Sequence, residues 1–226
     1  MKSIIALLKK DLYNLSSYKT STIIILILVP IFCISISDIQ FIIPALTMML
    51  GMIAISTFSY DDMSKANKYI NAMPCTKKEV VRGKYILAIM GILLGGIIGT
   101  IVTIVVGNII NIVNPNSDVV LNYQEIIINA LTWMVGLFII QNIQIPLLYK
   151  YGSEKSRIVM VMLMILTGGL IIFISPLISA IYNMANIQIP ENLYTTIIGI
   201  GLTVLVIVMY VISFKMSYKI YKNKEV

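Results

Sequence analysis

The sequence predicts an all-α polytopic membrane protein, a single transmembrane domain over residues 1–226 with six transmembrane helices. Hydrophobic residues make up 58% of the chain and charged residues only 12%, whereas soluble chains average about 45–50% and about 25%. The mean hydropathy is +0.93. The apolar residues fall into runs of about 20, the length that a helix needs to cross ~30 Å of hydrocarbon. Six such runs leave little chain for a soluble domain.

Residues 1–19 predict a helix that lies along the membrane surface. Ile4, Leu8, Leu12 and Leu15 recur at helical spacing, and the charged residues of the segment lie off that stripe. The segment is too short and too polar to span a bilayer, which is typical of an interfacial amphipathic helix. A cleaved signal peptide is the alternative, but no A-x-A-like cleavage site follows the apolar run.

Six apolar runs then follow along the chain. The predicted spans are 20–37, 39–58, 85–113, 125–148, 158–178 and 195–214. A tight turn is expected at Asp38, between the first two spans. We expect charged connections at 60–84 and 149–157, and an irregular segment at 179–194, which contains Pro190 and several asparagines.

The positive charges predict the orientation of these spans. The N-terminus, the 60–84 loop, the 149–157 loop and the C-terminal tail hold 4, 6, 3 and 4 of the 17 Lys and Arg residues, which is all of them. The opposite connections hold only acidic charges. Because positive residues concentrate on the cytoplasmic side of short loops, both termini are predicted to be cytoplasmic. The net charge of +7 then faces anionic membrane lipid, and no nucleic-acid partner is needed to explain it.

Several function classes are disfavoured by what the sequence lacks. The chain has no histidine, which removes histidine-dependent catalysis and metal ligation. Its two cysteines imply neither a disulfide framework nor a metal site. The spans contain no charged residue away from their ends, which argues against a proton-coupled antiporter or an ion pump. There is no phosphate-binding G-x-x-x-x-G-K-[ST] loop, so ATP hydrolysis, if it drives the process, must belong to another chain. The protein is therefore expected not to be an enzyme, and no metal or cofactor is expected in it.

Two polar or small-residue patterns stand out inside the spans. Gly91, Gly95 and Gly99 are spaced by four residues, a pattern that favours close helix packing. Gln141, Asn142 and Gln144 precede Pro146 in the fourth span. These three amides are candidates for lining a translocation pathway, but interhelical hydrogen bonding and carbonyls freed by the proline explain them at least as well.

The 60–84 loop is the most informative segment, because it predicts ordered structure outside the membrane. Asp61 and Asp62 are expected to start a short helix, where carboxylates are favoured. That helix should end near Ala72, ahead of Pro74. Thr76 and Glu79 then form a T-x-x-E capping box that leads into the third span. A simple connector needs only a few residues, so we interpret this loop as a docking element for a cytoplasmic partner.

Three stretches resemble ABC-2-type permeases, and most closely the short six-span branch from Firmicutes. In the first loop, the resemblance rests on Tyr60, Asp61, Asp62, Tyr69, Met73, Pro74, Lys77, Lys78, Val81, Lys84 and Tyr85. The stretch IPLLYKYGSEKSR at 145–157 is similar to the loop after the fourth span of that branch. The N-terminal LLKKDLYNL is similar to its entry helix. The resemblance covers essentially the whole chain.

The resemblance implies an exporter in the bacterial plasma membrane. Such permeases form dimers, here expected to be homodimers, and two copies of a separate ATPase chain bind ATP and Mg. The first loop acts as the coupling helix, a role carried over to Asp61, Asp62, Lys65, Lys68, Tyr69 and Pro74. Substrates of the branch include amphipathic peptides such as phenol-soluble modulins and bacteriocins, as well as peptide antibiotics. The 179–194 segment would form an outer gate.

Two other function classes stay open. The substrate-binding membrane module of a vitamin-type ABC importer also has about six spans, and would hold a small ligand tightly as a monomer. An intramembrane protease or an immunity-type membrane protein is the third class, but the spans show no charged or His/Ser dyad that a protease would need.

Overall fold

The protein, as seen in a computed structural model, is built of helices. The structure describes residues 2–16, 19–35, 38–66, 69–70, 75–113, 121–185 and 191–224, and those residues contain no β-strand. The helices, numbered along the chain, are α1 (Lys2–Ser16), α2 (Lys19–Ser35), α3 (Ile42–Gly51), α4 (Ile53–Met63), α5 (Lys77–Val113), α6 (Tyr123–Ala185) and α7 (Glu191–Asn223). A short 3-10 turn, Ile39–Phe41, precedes α3 and is capped by the Asp38 carboxylate, which accepts a hydrogen bond from the Gln40 N–H.

Long apolar helices confirm the membrane character of the chain. Within the described residues, four helical stretches are long and apolar enough to cross a bilayer: Ile39–Met63, Lys77–Val113, Tyr123–Met162 and Thr203–Asn223. A shorter apolar helix covers Thr22–Ile34, inside the predicted first span. The total of six spans stays a prediction, as does the position of α1 on the membrane surface.

The glycine stripe of the third span is confirmed as a packing surface between α5 and α3. A Cβ added to Gly91 would lie 2.7 Å from the Leu50 carbonyl oxygen, and one added to Gly95 would lie 2.9 Å from the Thr47 Cα. These distances are to backbone atoms, which cannot rotate away. Only glycine therefore allows the two helices to approach this closely.

Five helices meet at one end of the bundle, which we call the basic end. It comprises α1, the C-terminal end of α4, the N-terminal end of α5, the part of α6 around Gly152 and the C-terminal end of α7. Its core is a cluster of buried side chains that includes Leu7, Phe58, Val81, Tyr149 and Tyr221. The Phe58 and Tyr149 rings meet edge to face with centroids 5.0 Å apart, a favourable aromatic geometry.

The two predicted interruptions of helix have different outcomes. Segment 149–157 is predicted to be a charged connection between two spans, and the structure has a kink there: Gly152, with φ of 78° and ψ of 177°, separates two helical parts of α6. The residues on either side of Gly152 are helical, because Lys and Glu are good helix formers. Segment 179–194 was expected to be irregular, but it is helical up to Ala185 and again from Glu191. Asn costs less than about 1 kcal/mol in a helix, and residues 186–190 lie outside the described part of the chain.

Candidate coupling site and its buried ion network

Asp61 and Asp62 lie in the last turn of α4 (Ile53–Met63), not at the start of a new helix as predicted. Lys65, with φ of 51°, follows the end of α4. Carboxylates are disfavoured near a helix C-terminus because the helix dipole is negative there. Contacts with other elements must therefore stabilise these two side chains, and the structure shows which contacts do so.

Asp61 belongs to a network of four charged side chains at the basic end. Its Oδ2 lies 2.6 Å from the Lys84 Nζ, and its Oδ1 lies 2.6 Å from the Lys10 Nζ. Asp11 completes the network, with Oδ2 3.0 Å from the Lys84 Nζ and Oδ1 3.1 Å from the Lys10 Nζ. The two lysines and two aspartates balance in charge. Three of the four ion pairs cross between helices, so the network joins α1, α4 and α5.

The network is buried, and this determines how much stability the protein loses when one of its charged members is removed. The side chains of Lys84, Asp11 and Asp61 are only 5%, 4% and 7% exposed, and that of Lys10 is 26% exposed. Lys84 also donates to the Thr57 hydroxyl at 2.9 Å and lies over the Phe58 ring. Removing one member of such a group leaves an uncompensated buried charge.

Lys10 is held in its charged form by its partners. Burial alone lowers the pKa of this lysine, but the hydrogen bond to Asp61 and the charges of Asp11 and Asp61 outweigh it, and the pKa lies above the ordinary 10.5. The side chain is thus a fixed positive charge between two carboxylates at any physiological pH.

Asp62 has a different role from that of its neighbour. Its carboxylate is at the surface, and Oδ2 accepts a hydrogen bond of 2.7 Å from the Ser153 backbone N–H. This N–H follows Gly152, the residue at which α6 departs from helical geometry. Asp62 therefore fixes the end of α4 to the bend in α6. This contact directly joins the two segments, 60–84 and 145–157, that resemble permease loops.

The remaining predicted coupling residues lie beyond α4. Tyr69 is helical, and its side chain is 71% exposed. Lys65 is exposed as well. Lys68 and Pro74, together with the predicted end of the short helix near Ala72, lie outside the described residues. The capping box is confirmed, because the Thr76 N–H donates to Glu79 Oε2 at 2.9 Å and the Glu79 N–H donates to Thr76 Oγ1 at 3.3 Å.

The three amides of the fourth span are buried inside the subunit rather than on an open surface. Gln141 Nε2 donates to the Gly51 carbonyl, and Asn142 Nδ2 donates to the Phe138 carbonyl in its own helix. The side-chain carbonyl oxygens of Gln141, Asn142 and Gln144 have no hydrogen-bond partner among the described residues. The hydrogen bond from Gln141 to Gly51 joins two helices, which agrees with the packing interpretation of these amides.

A tyrosine links the third span to the last helix. The Tyr85 hydroxyl is hydrogen-bonded to Ser213 and, at 2.9 Å, to Ser217, and Ser213 Oγ donates to the Asn142 carbonyl. These hydrogen bonds thus connect α5, α6 and α7 through buried polar contacts. Sequence reasoning did not find this link, because the residues are more than 50 positions apart and their types are common in any helix.

The sequence also gave no indication of the ion network. The sequence places Lys10 and Asp11 off the apolar stripe of α1, and their partners Asp61 and Lys84 lie 51 and 73 residues further along the chain. Which charged residues pair over such long sequence separations depends on the tertiary fold, and a single sequence does not reveal it. Among the described residues, no group of three or more His, Cys, Asp or Glu side chains is arranged to hold a metal ion.

Comparison with known proteins assigns a family to this architecture. The family model described as ABC-2 family transporter protein matches residues 6–222. No curated protein and no solved structure matches the chain. The matched region includes the ion network, the segment after α4 and the bend at Gly152. Because the match covers most of the chain, the protein belongs to the ABC-2 family of transporter membrane proteins.

Proposed function

We propose that the chain is the permease subunit of an ATP-driven ABC exporter, and that the segment after α4 docks on a separate ATPase chain. Permeases of the ABC-2 family work with an ABC ATPase partner. The observation that carries the docking site is the exposure of Tyr69 (71%) and Met63 (83%) beside a buried ion network. Exposed aromatic and methionine side chains are enriched at protein–protein interfaces.

The ion network gives this segment a mechanical connection to the membrane helices. Asp61 and Asp62 attach the end of α4 to α1, α5 and α6. A force applied to the segment by a partner would therefore move several helices together. This is the property that a coupling element requires, since ATP binding elsewhere must change the membrane-embedded part.

The orientation follows from the charges. Positive residues concentrate on the cytoplasmic side, so we place the basic end and both termini in the cytoplasm of a bacterial cell. The ATPase partner, with its bound ATP and Mg, would meet the permease there. Two ATPase copies would then serve two permease subunits, arranged as a homodimer.

An amphipathic peptide is the substrate class that we propose. The apolar spans carry no charges away from their ends, so the pathway suits an amphiphile better than an ion. Among the described residues, the side-chain oxygens of Gln141, Asn142 and Gln144 have no hydrogen-bond partner. A rearrangement that opens the subunit interface would give these oxygens partners and line the pathway with these amides.

The test is co-purification with the ATPase encoded beside the chain, followed by reconstitution in lipid. We expect a stable complex whose ATPase activity rises with an amphipathic peptide. Tyr69→Ala should lower the amount of bound ATPase at least fivefold. Tyr13→Ala is the matched control, because Tyr13 is 79% exposed on α1 and should leave binding unchanged. Equal binding by both variants would contradict the docking site, and a tightly bound vitamin in the purified monomer would contradict the exporter.

A further inference from the structure

An open groove lies between α1, α2, α4 and α5 on the side of the bundle. Its volume is about 780 Å³, within the ~300–1,000 Å³ range of small-molecule sites. The residues at one end are apolar, and include Met49, Met90 and Leu94. At the other end lie Ser59 and Arg157, next to the basic end of the bundle.

The groove runs along a membrane-crossing segment and becomes polar towards the basic end. It follows α3 and α4 from Met49 to Met63, which corresponds to ~20 Å at a helical rise of 1.5 Å per residue. One leaflet contributes about half of the ~30 Å hydrocarbon thickness. The groove is therefore about as long as one leaflet is deep, and its polarity changes in the direction expected for a lipid.

Arg157 supplies the charge at the polar end. It is exposed, and its Nη2 donates to the Ser59 hydroxyl at 3.3 Å. No described carboxylate forms an ion pair with it, since the four ion pairs all lie within the network of α1, α4 and α5. Arginine binds phosphate through its planar fork of N–H donors, so the guanidinium is suited to a phosphodiester.

We propose that this groove binds one anionic phospholipid, with an acyl chain against Met49, Met90 and Leu94 and the phosphate on Arg157 and Ser59. The methionine side chains adapt to a flexible chain. The hydroxyls and the arginine match a headgroup, whereas a peptide backbone would meet few hydrogen-bonding groups over the apolar length of the groove. The groove shares Met63 with the proposed ATPase docking site, but the residues proposed to contact the lipid are not part of that docking site.

Native mass spectrometry of the full chain in mild detergent tests the proposal. Phosphatidylglycerol and phosphatidylcholine are added separately, and the fraction of protein that retains one lipid is measured. We expect phosphatidylglycerol to be retained at least fivefold more than phosphatidylcholine. Arg157→Gln should abolish this preference, whereas Lys155→Gln, which removes an exposed charge outside the groove, should preserve it.

A second pair of variants tests the apolar part of the groove. Met90→Trp fills the groove and should lower lipid retention at least fivefold. Leu93→Trp places the same ring on an exposed position of α5 that does not line the groove, and should have no effect. Equal retention of both lipids, or equal loss in Arg157→Gln and Lys155→Gln, would overturn the proposal. Loss of a dimer in Met90→Trp with lipid retention unchanged would assign the groove to a second copy of the chain and also overturn it.

Discussion

Replacing Asp61 by Asn should destabilise the protein far more than the same change at Asp62. Asp61 is 5% exposed as a residue and contacts two lysines at 2.6 Å. Without its charge, the buried Lys84 retains only Asp11, and the network carries an excess positive charge. Asp62 is exposed, and among the described residues its carboxylate accepts one hydrogen bond, from the Ser153 N–H at 2.7 Å, which an Asn oxygen can still accept.

The size of the effect follows from the burial of the network. Breaking a buried ion pair by removing one partner costs about 3–5 kcal/mol. Asp11 remains to share the two lysines, so the lower limit of ~3 kcal/mol applies. A chain of this length loses about 2–4 °C of Tm per kcal/mol, which gives a decrease of about 6–12 °C for Asp61→Asn. We expect Asp62→Asn to lower Tm by no more than about 4 °C, since at most one exposed hydrogen bond weakens.

Thiol labelling during heating measures this difference directly. Cys33 is 1% exposed and reacts with a fluorogenic maleimide only after unfolding. Cys75 is half-buried and is replaced by Ser in every variant. The double variant Asp61→Asn/Lys84→Met should be more stable than Asp61→Asn alone, because it leaves no uncompensated buried lysine at position 84. Equal Tm values for Asp61→Asn and Asp62→Asn, or no recovery in the double variant, would refute the reasoning.

Substitutions at three further sites, with Gly136→Ala as a control, test the local geometry with the same thermal assay. Gly95→Ala puts a Cβ 2.9 Å from the Thr47 Cα and should cost about 1–3 kcal/mol of stability. The control Gly136→Ala, whose Cβ would meet nothing within 4 Å, should leave Tm unchanged or slightly higher. Similar losses of Tm in both variants would contradict the close packing. Thr76→Ala removes the capping box and should cost about 1 kcal/mol, and an unchanged Tm would exclude its contribution. Gly152→Ala should cost about 1–3 kcal/mol because a φ of 78° with a ψ of 177° is a conformation that essentially only glycine adopts; an unchanged Tm would contradict the bend.

Local features of the sequence predicted local features of the structure. The capping box at Thr76 and Glu79 depends on residues three positions apart, and the glycine stripe of α5 on a four-residue period, so both could be predicted without knowledge of the fold. The membrane class followed from composition alone. These features need only the geometry of a single helix.

The features that failed depend on competition between elements. Asp61 and Asp62 were expected at a helix start because carboxylates are favoured there, but lysines from two other helices stabilise Asp61 at a helix end. The charged connection predicted at 149–157 is confined to a kink at Gly152, because charges favour water contact without ending a helix. Only Gly152 departs from helical geometry, and a single glycine is a weak signal in a chain with 13 of them.

The ion network also constrains the order in which the protein can assemble during synthesis. Lys10 and Asp11 leave the ribosome early, whereas Asp61 is made 51 residues after Lys10 and Lys84 later still. The network cannot close until the start of α5 has emerged, so α1 stays undocked while the first apolar helices insert. We expect nascent chains in which Lys84 has not emerged from the ribosome to leave α1 open to added protease, and chains in which Lys84 has emerged to protect it. Early protection in the shorter chains would show that α1 docks without the network.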